Sequence, residues 1–248
     1  MRAALPIAGV VGTVVLWWAA TAVFGIRQII LPAPPDIVAA FRAQPGYLIR
    51  ETGATVSETL AGFGIAVALG LLVAVLLTAW RALERAALPV LVALNSIPKV
   101  ALAPLLVVWL GFGARPKIVL VVLICVFPIV VATMAGLTST PAELGELSRS
   151  LSASRWQTYV KVRLPWALPQ VFTGLKVAVT LAVIGAVVAE INNPSGGLGA
   201  VIVLSGMSLD TPLAFAAITL LALLSTALFY LVVVLERWLV PWARAISG

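Results

Sequence analysis

Apolar runs of about twenty residues, separated by short polar stretches, set the pattern of this chain. They fall at about Ile7–Phe24, Glu58–Trp80, Leu88–Leu110, Ile118–Leu137, Val171–Ile191 and Leu213–Leu235. A run of that length, wound as a helix, satisfies its own backbone hydrogen bonds and bridges a hydrocarbon layer of roughly 30 Å. The pattern predicts an all-α, polytopic membrane protein with six transmembrane helices in a single domain over residues 1–248. Met1-Arg2 before the first run resembles a leader, but the run is long enough to span and more runs follow, so it is read as an uncleaved first span. No clear internal repeat links the spans.

The punctuation between the runs is equally readable. Leu31-Pro-Ala-Pro-Pro35 stops the first helix, and Asp36–Ala43 is expected as a short amphipathic helix at the interface. Gly62, Gly64 and Gly70 in the second span permit close helix approach. Arg81, Glu84 and Arg85 close that span in a charged turn. Asn95-Ser-Ile-Pro-Lys99 and Pro104 interrupt the third, and Gly111–Pro116 is the turn after it. The fifth ends in Glu190-Ile-Asn-Asn-Pro-Ser-Gly-Gly-Leu-Gly199, in which Gly196-Gly-Leu-Gly199 is read as a flexible loop and not a phosphate loop, since no strand precedes it.

The longest polar loop, Thr140–Pro169, carries Glu143, Glu146, Arg149, Arg155, Lys161 and Arg163. Thr140, Pro141 and Glu143 have the spacing of a capping box, and Ser154 with Gln157 repeats it. Two short helices joined at Ser152–Ser154 are predicted, the first with Leu144, Leu147 and Leu151 on one face and its charges on the others. Leu164-Pro165 ends the second. A capped helical hairpin in the main polar loop suggests a docking device.

Composition agrees with the spans: 62% of residues are hydrophobic and 10% charged, where a soluble domain has about a quarter charged. The net charge of +7 is therefore loop charge beside anionic lipid and no nucleic-acid footprint. With both termini inside, Arg2, Arg81, Arg85, Arg149, Arg155, Lys161, Arg163, Arg237 and Arg244 are cytoplasmic, nine in all. Arg27, Arg42, Arg50, Arg115 and Lys117, five, are outside. The bias places both termini and the Thr140–Pro169 loop in the cytoplasm of a cell-membrane protein.

Candidate chemistry is sparse. The sequence has no histidine, one cysteine (Cys125, expected to be packed in its apolar run), and no Gly-x4-Gly-Lys-Ser/Thr phosphate loop, so ATP hydrolysis and a bound metal are not expected of this chain. Lys99 lies about eleven residues into the third span, roughly 16 Å deep. A lysine there costs about 2.5–3.5 kcal/mol unless paired or wet, so it either meets solute in a pathway with Asn95, Ser96 and Pro98, or bonds carbonyls freed by Pro98, or snorkels along a tilted helix. Glu190 either lines the pathway or is hydrated at the interface, and Lys176 reads as an interfacial anchor. Trp17, Trp18, Trp80 and Trp238 read as interfacial belt residues.

Four stretches carry a resemblance. Glu146-Leu-Ser148, Ser152 and Val162-Arg-Leu-Pro165 have the spacing of the EAA loop of ABC-importer permeases, with Leu147 and Ser148 in place of two alanines and Ser152 in place of the glycine. If that glycine sits at positive φ, Ser152 costs roughly 1 kcal/mol there. Ser96–Leu105 with Trp109-Leu-Gly-Phe-Gly113, Leu31–Pro35, and Ala189-Glu190 with Gly197-Leu-Gly199 resemble the nitrate/sulfonate/taurine-type members. The resemblance implies a type I ABC importer permease, a homodimer in the bilayer, with two cytoplasmic ATPase subunits and an extracytoplasmic substrate-binding protein. ATP and magnesium would then belong to the ATPase. Glu143, Leu144, Glu146, Leu147, Arg149, Leu151, Ser152, Arg155, Leu164 and Pro165 become the ATPase-coupling residues.

Three other classes remain open on the residues alone. A vitamin-binding membrane subunit of an energy-coupling importer has this size but needs no capped hairpin. A secondary transporter wants intramembrane carboxylates, for which only Glu190 is available. A membrane enzyme needs convergent catalytic groups.

Overall fold

The computed structural model describes residues 4–79 and 81–242, without the side chains of residues 4–7, 81, 82, 84, 88 and 155. All regular structure among these residues is helical. In order, α1 is Ala4–Val23, α2 Pro34–Ala43, α3 Pro45–Ala79, α4 Arg81–Asn95, α5 Ala103–Leu110 after a 3-10 turn Lys99–Leu102, and α6 Ala114–Thr138. Then come α7 Ala142–Ser150, α8 Arg155–Thr158, a π turn Tyr159–Arg163, α9 Leu164–Asn192, α10 Leu198–Met207 and α11 Thr211–Leu239.

The centre is a three-helix bundle of α3, α6 and α9. Its buried side chains are small or slender, with Ala66, Val121, Cys125, Ile129, Ala178, Ala182 and Ala186 forming one cluster. In lipid, helices gain little from burying apolar surface, so association rests on close van der Waals contact. Gly62 shows how close: a Cβ there would lie 2.6 Å from the Cβ of Val121. Gly70 meets Ile129 in the same way, whereas Gly64 has nothing within 4 Å and takes no part in the packing expected of it. Cys125 is fully buried, as its apolar run implied.

A second cluster joins the first turns of α3 to α2, α10 and α11 through Ile37, Leu48, Leu198, Val201, Leu213, Ala216 and Ala217. Trp17 packs on Phe215 in this layer, ring centroids 6.1 Å apart, so it is a packing residue as much as an interfacial one. Trp238, near the end of α11, is exposed. Trp80 lies outside the described residues.

The spans differ from their expected outlines. Among the described residues four helices are long and apolar enough to cross a membrane: Pro45–Ala79, Ala114–Thr138, Trp156–Asn192 and Thr211–Leu239. A fifth crossing exists if Arg85–Asn95 and Lys99–Leu110, bent by 70°, count as one broken span. The bend follows from Pro98, which lacks an N–H and sits in extended backbone (φ −66°, ψ 96°), so the helix must restart at Lys99. The apolar stretch of α1, Ala8–Val23, is short for a crossing, so six crossings are not reached among the described residues. Helix α3 begins thirteen residues earlier than expected, at Pro45 instead of Glu58. At 1.5 Å per residue its 35 residues reach about 52 Å, more than a bilayer needs, and one end projects. Helix α10 was not expected at all: the Gly196–Gly199 stretch read as a flexible loop is its start.

Candidate functional site

The two helices expected in the long polar loop are present and joined at Ser152–Ser154, but Leu164-Pro165 does not end the second, which runs on through the π turn into α9 as one helix, Trp156–Asn192. Helix α7 ends in a turn in which the Ala153 N–H donates to Ser148 O (3.0 Å) and the Ser152 N–H to Arg149 O (3.0 Å). Ser152 sits at φ +54°, the left-handed backbone its glycine-like position implied. Ser154 caps α8 in a closed box, its N–H donating to Gln157 Oε1 (2.8 Å) and its Oγ accepting from the Gln157 N–H (3.2 Å). The first box does not form. Pro141 is the N-cap of α7, without a side-chain cap, and the Thr140 hydroxyl is buried with no partner.

Glu143, Glu146, Arg149, Leu147 and Leu151 all face outward from α7, with Leu147 55% and Leu151 72% exposed. Leu144 is half-buried, Leu164 is exposed, and the Pro165 carbonyl accepts from Trp242 Nε1 (3.3 Å). The Arg155 side chain lies outside the described residues. Behind α7, Arg149, Arg163, Thr78, Gly145, Thr158 and Tyr159 line two adjoining cavities of about 680 and 440 Å³. A nine-residue helix with two large leucines in solvent is marginal by itself, so this face is built to be covered.

The expected pathway residues do not form one cluster. Asn95, Ser96 and Pro98 are exposed at the break between α4 and α5. Lys99 Nζ donates to Asn95 Oδ1 and stands 5.9 Å from the centroid of the Phe127 ring. The cation is thus held by an amide and an aromatic face, not by carbonyls freed at Pro98. Glu190 makes no bond to it and has 0% of its surface exposed, which excludes the hydrated position considered for it. Lys176 is no lone anchor: its Nζ pairs with Glu236 (2.9 Å), tying α9 to α11.

Glu190 instead belongs to a buried charged cluster that sequence reasoning missed. Near the start of α6, Lys117 is 1% exposed, although it was counted with the outer-loop charges. Its Nζ lies 3.1 Å from Glu58 Oε1 and donates to Gly196 O (2.8 Å). Three N–H groups at the start of α10 are taken up by side chains: Gly197 donates to Glu51 Oε2 (2.8 Å), Leu198 to Thr55 Oγ1 (2.8 Å) and Gly199 to Glu190 Oε2 (2.6 Å). Thr55 Oγ1 in turn donates to Glu190 Oε1 (2.7 Å), and Asn193 Nδ2 donates to Gly113 O (3.0 Å). Exposed Arg50 donates to Glu51 Oε1 from the rim (3.0 Å). Three carboxylates therefore face one buried ammonium and the positive end of α10, worth about half a charge. Breaking such a buried pair by removing one partner costs roughly 3–5 kcal/mol. Gly197, at φ +98° and ψ 165°, is in backbone only glycine enters freely, and any Cβ there would collide with the Glu190 carboxylate.

Comparison with known proteins fixes the family. The model of the "Binding-protein-dependent transport system inner membrane component" family matches residues 66–244. The chain belongs to this family. It is 39% identical over 230 residues to the riboflavin transport system permease protein RibX of Chloroflexus aurantiacus, covering 92% of this chain and 86% of that one. It is 35% identical over 231 residues to the formylaminopyrimidine transport permease protein ThiX of Halalkalibacterium halodurans, covering 93% and 92%. With the taurine transport system permease protein TauC of Escherichia coli the identity is 27% over 234 residues, covering 92% and 85%. A solved inward-facing structure of the MetNI methionine ABC transporter superposes with a TM-score of 0.67 at 24% identity, over 80% of this chain and 97% of that one, and shows a shared fold. The chain is thus the membrane permease of a binding-protein-dependent ABC importer and no catalytic subunit. Glu51, Thr55 and Glu58 precede the segment matched by the family model.

Proposed function

We propose that the chain, as one permease domain, forms the translocation pathway of an ATP-driven importer for a small solute and couples it to a cytoplasmic ATPase through the α7–α8 hairpin. The observation that carries this is α7 itself: a helix projecting Glu146, Leu147, Arg149 and Leu151 into solvent, stopped by a left-handed Ser152 at the family's motif spacing. ATP and magnesium sit on the ATPase, and its closure moves the spans between two states. Two copies of the chain complete the pathway, each contributing six crossings with α1 and the broken α4–α5 pair included. Asn95, Ser96, Pro98 and Lys99 at that break face the solute. Glu190 serves the pathway only from behind, through the loop it holds. Both termini and the hairpin are cytoplasmic. The substrate-binding protein, meeting the opposite face, selects the solute; the relatives are named for solutes as unlike as riboflavin, formylaminopyrimidine and taurine.

Glu146→Arg tests the coupling. Charge reversal on an exposed helix face leaves the spans intact, so membrane insertion is unchanged. ATPase co-purification is expected to weaken about tenfold or more, equivalent to about 1.4 kcal/mol. Solute-stimulated hydrolysis in liposomes falls with it. If both survive in Glu146→Arg and in a Leu147→Asp, Leu151→Asp double variant, the hairpin is not the coupling element.

A further inference from the structure

The Lys117 cluster lies at the end of the bundle away from the hairpin. Lys117 is the fourth residue of α6, whereas the hairpin follows the last residue of the same helix, about 31 Å further along at 1.5 Å per residue. Four elements meet there. Helix α3 supplies Glu51, Thr55 and Glu58; α6 supplies Lys117; α9 supplies Glu190; and the loop Asn193–Gly197 is what they grip. The grip falls on backbone atoms: the Gly196 carbonyl and the N–H groups of Gly197, Leu198 and Gly199. Backbone bonds fix where a segment runs whatever its side chains are. What runs on from this loop is α10, which ends at Met207 and is followed by Leu209, 79% and 66% exposed. Leu209 itself is held at φ +60°, so the far end of α10 is also a defined turn and no frayed tail.

We propose that Lys117 is a positioning residue for transport: with Glu51, Thr55, Glu58 and Glu190 it clasps the 193–199 loop to the ends of three spans and so presents α10 in one fixed place on the face where solute arrives. The assignment of that face rests on the permease reading above; the clasp itself does not. Ammonium and carboxylates complement one another, because the loop offers both an acceptor, Gly196 O, and three donors. Lys117 neutralises Glu58 while binding the acceptor. Glu51, Thr55 and Glu190 take the donors. A loop released from this grip would leave α10 tethered only by its packing on α11, α9 and the start of α3, and an arriving partner would meet several arrangements instead of one.

The test uses the assembled transporter in liposomes, with a nitroxide on Ser195→Cys in a Cys125→Ala background. Ser195 is exposed in the gripped loop and makes no bond to the clasp side chains, so the label reports on the loop without breaking it. The unsubstituted clasp should give a motionally restricted spectrum. Lys117→Met with Glu58→Gln removes the buried ion pair together, so that Glu58 is not left as a carboxylate without its partner, and loses the bond to Gly196 O. Thr55→Val is isosteric and uncharged, and loses the bonds to Leu198 and Glu190. Both should mobilise the label, the first severalfold more than the second. Both should raise the apparent KM for the loaded binding protein about fivefold or more, with maximal transport within about twofold. Lys117→Arg, which keeps the charge and a donor, should recover most of the restriction. Spectra and KM unchanged in both variants would overturn the proposal, as would a mobile loop with an unchanged KM. Absence of transport by the unsubstituted complex would instead fault the permease reading, since label mobility is measured without it.

Discussion

Lys99, read inside a span, and Lys117, read in an outer turn, end in surroundings opposite to those readings. Lys99 keeps its ammonium near the surface on Asn95 and the Phe127 ring, whereas Lys117 is sealed in a charged clasp. Lys99 was legible because its cause is local: Pro98 has no N–H, so the break beside it follows from residue type. Lys117 was not, because its partners are 59 and 79 residues away and no spacing rule joins them. One signal could have found it. Glu58, Lys117 and Glu190 each lie within a few residues of the expected end of a span, and an ionisable group at that depth needs a partner. For Lys99, a pathway role predicts that Lys99→Met cuts transport about tenfold while insertion and ATPase association persist. Transport at the wild-type rate would leave the Asn95–Phe127 perch as its whole purpose.

At the scale of elements, composition told which segments are helices better than where each helix stops. Helix α3 runs 35 residues because nothing between Pro45 and Glu58 breaks it, although that stretch is polar enough to read as loop. Helix α10 hid behind Gly196–Gly199, since glycines usually mark flexibility; here the carboxylates that receive its N–H groups come from distant helices. Capping chemistry was legible at Ser154, where the partners are three residues apart, and misleading at Thr140, where Pro141 takes the N-cap position. The glycines separate in the same way. Gly62 and Gly70 are eight residues apart on one face of α3, while Gly64, two residues on from Gly62, points elsewhere. Gly62→Leu is therefore expected to cost at least about 1–3 kcal/mol by overpacking against Val121. Gly64→Leu should be close to neutral. Thermal unfolding of the two variants in one detergent checks this, and equal melting temperatures would remove the argument that α3 and α6 are spaced by glycine.

The whole molecule has two chemically distinct ends joined by the α3–α6–α9 bundle. One end carries the hairpin with Arg149, Lys161 and Arg163, and the Lys176–Glu236 pair lies toward it; the other carries the clasp. Arg2 and Arg244 lie outside the described residues, so the basic count on the hairpin side rests partly on sequence. Removing Lys117 from the outer count, because it is buried and paired, strengthens the bias: nine basic residues inside against four outside, where sequence alone had five. On the proposed orientation the hairpin end is cytoplasmic and the clasp end faces outward. Two single-cysteine proteins in a Cys125→Ala background decide it. Ser150→Cys lies on α7 and Ser195→Cys in the clasped loop, and both positions are exposed. An impermeant maleimide added to intact cells should modify Ser195→Cys and spare Ser150→Cys until the membrane is opened. Since α9 is the one long apolar helix between the two positions, they cannot share a side unless α9 fails to cross. Modification of both from outside would therefore break the bundle as a set of spans. The reverse pattern would keep the bundle and turn it over, which would put the hairpin beyond reach of a cytoplasmic ATPase.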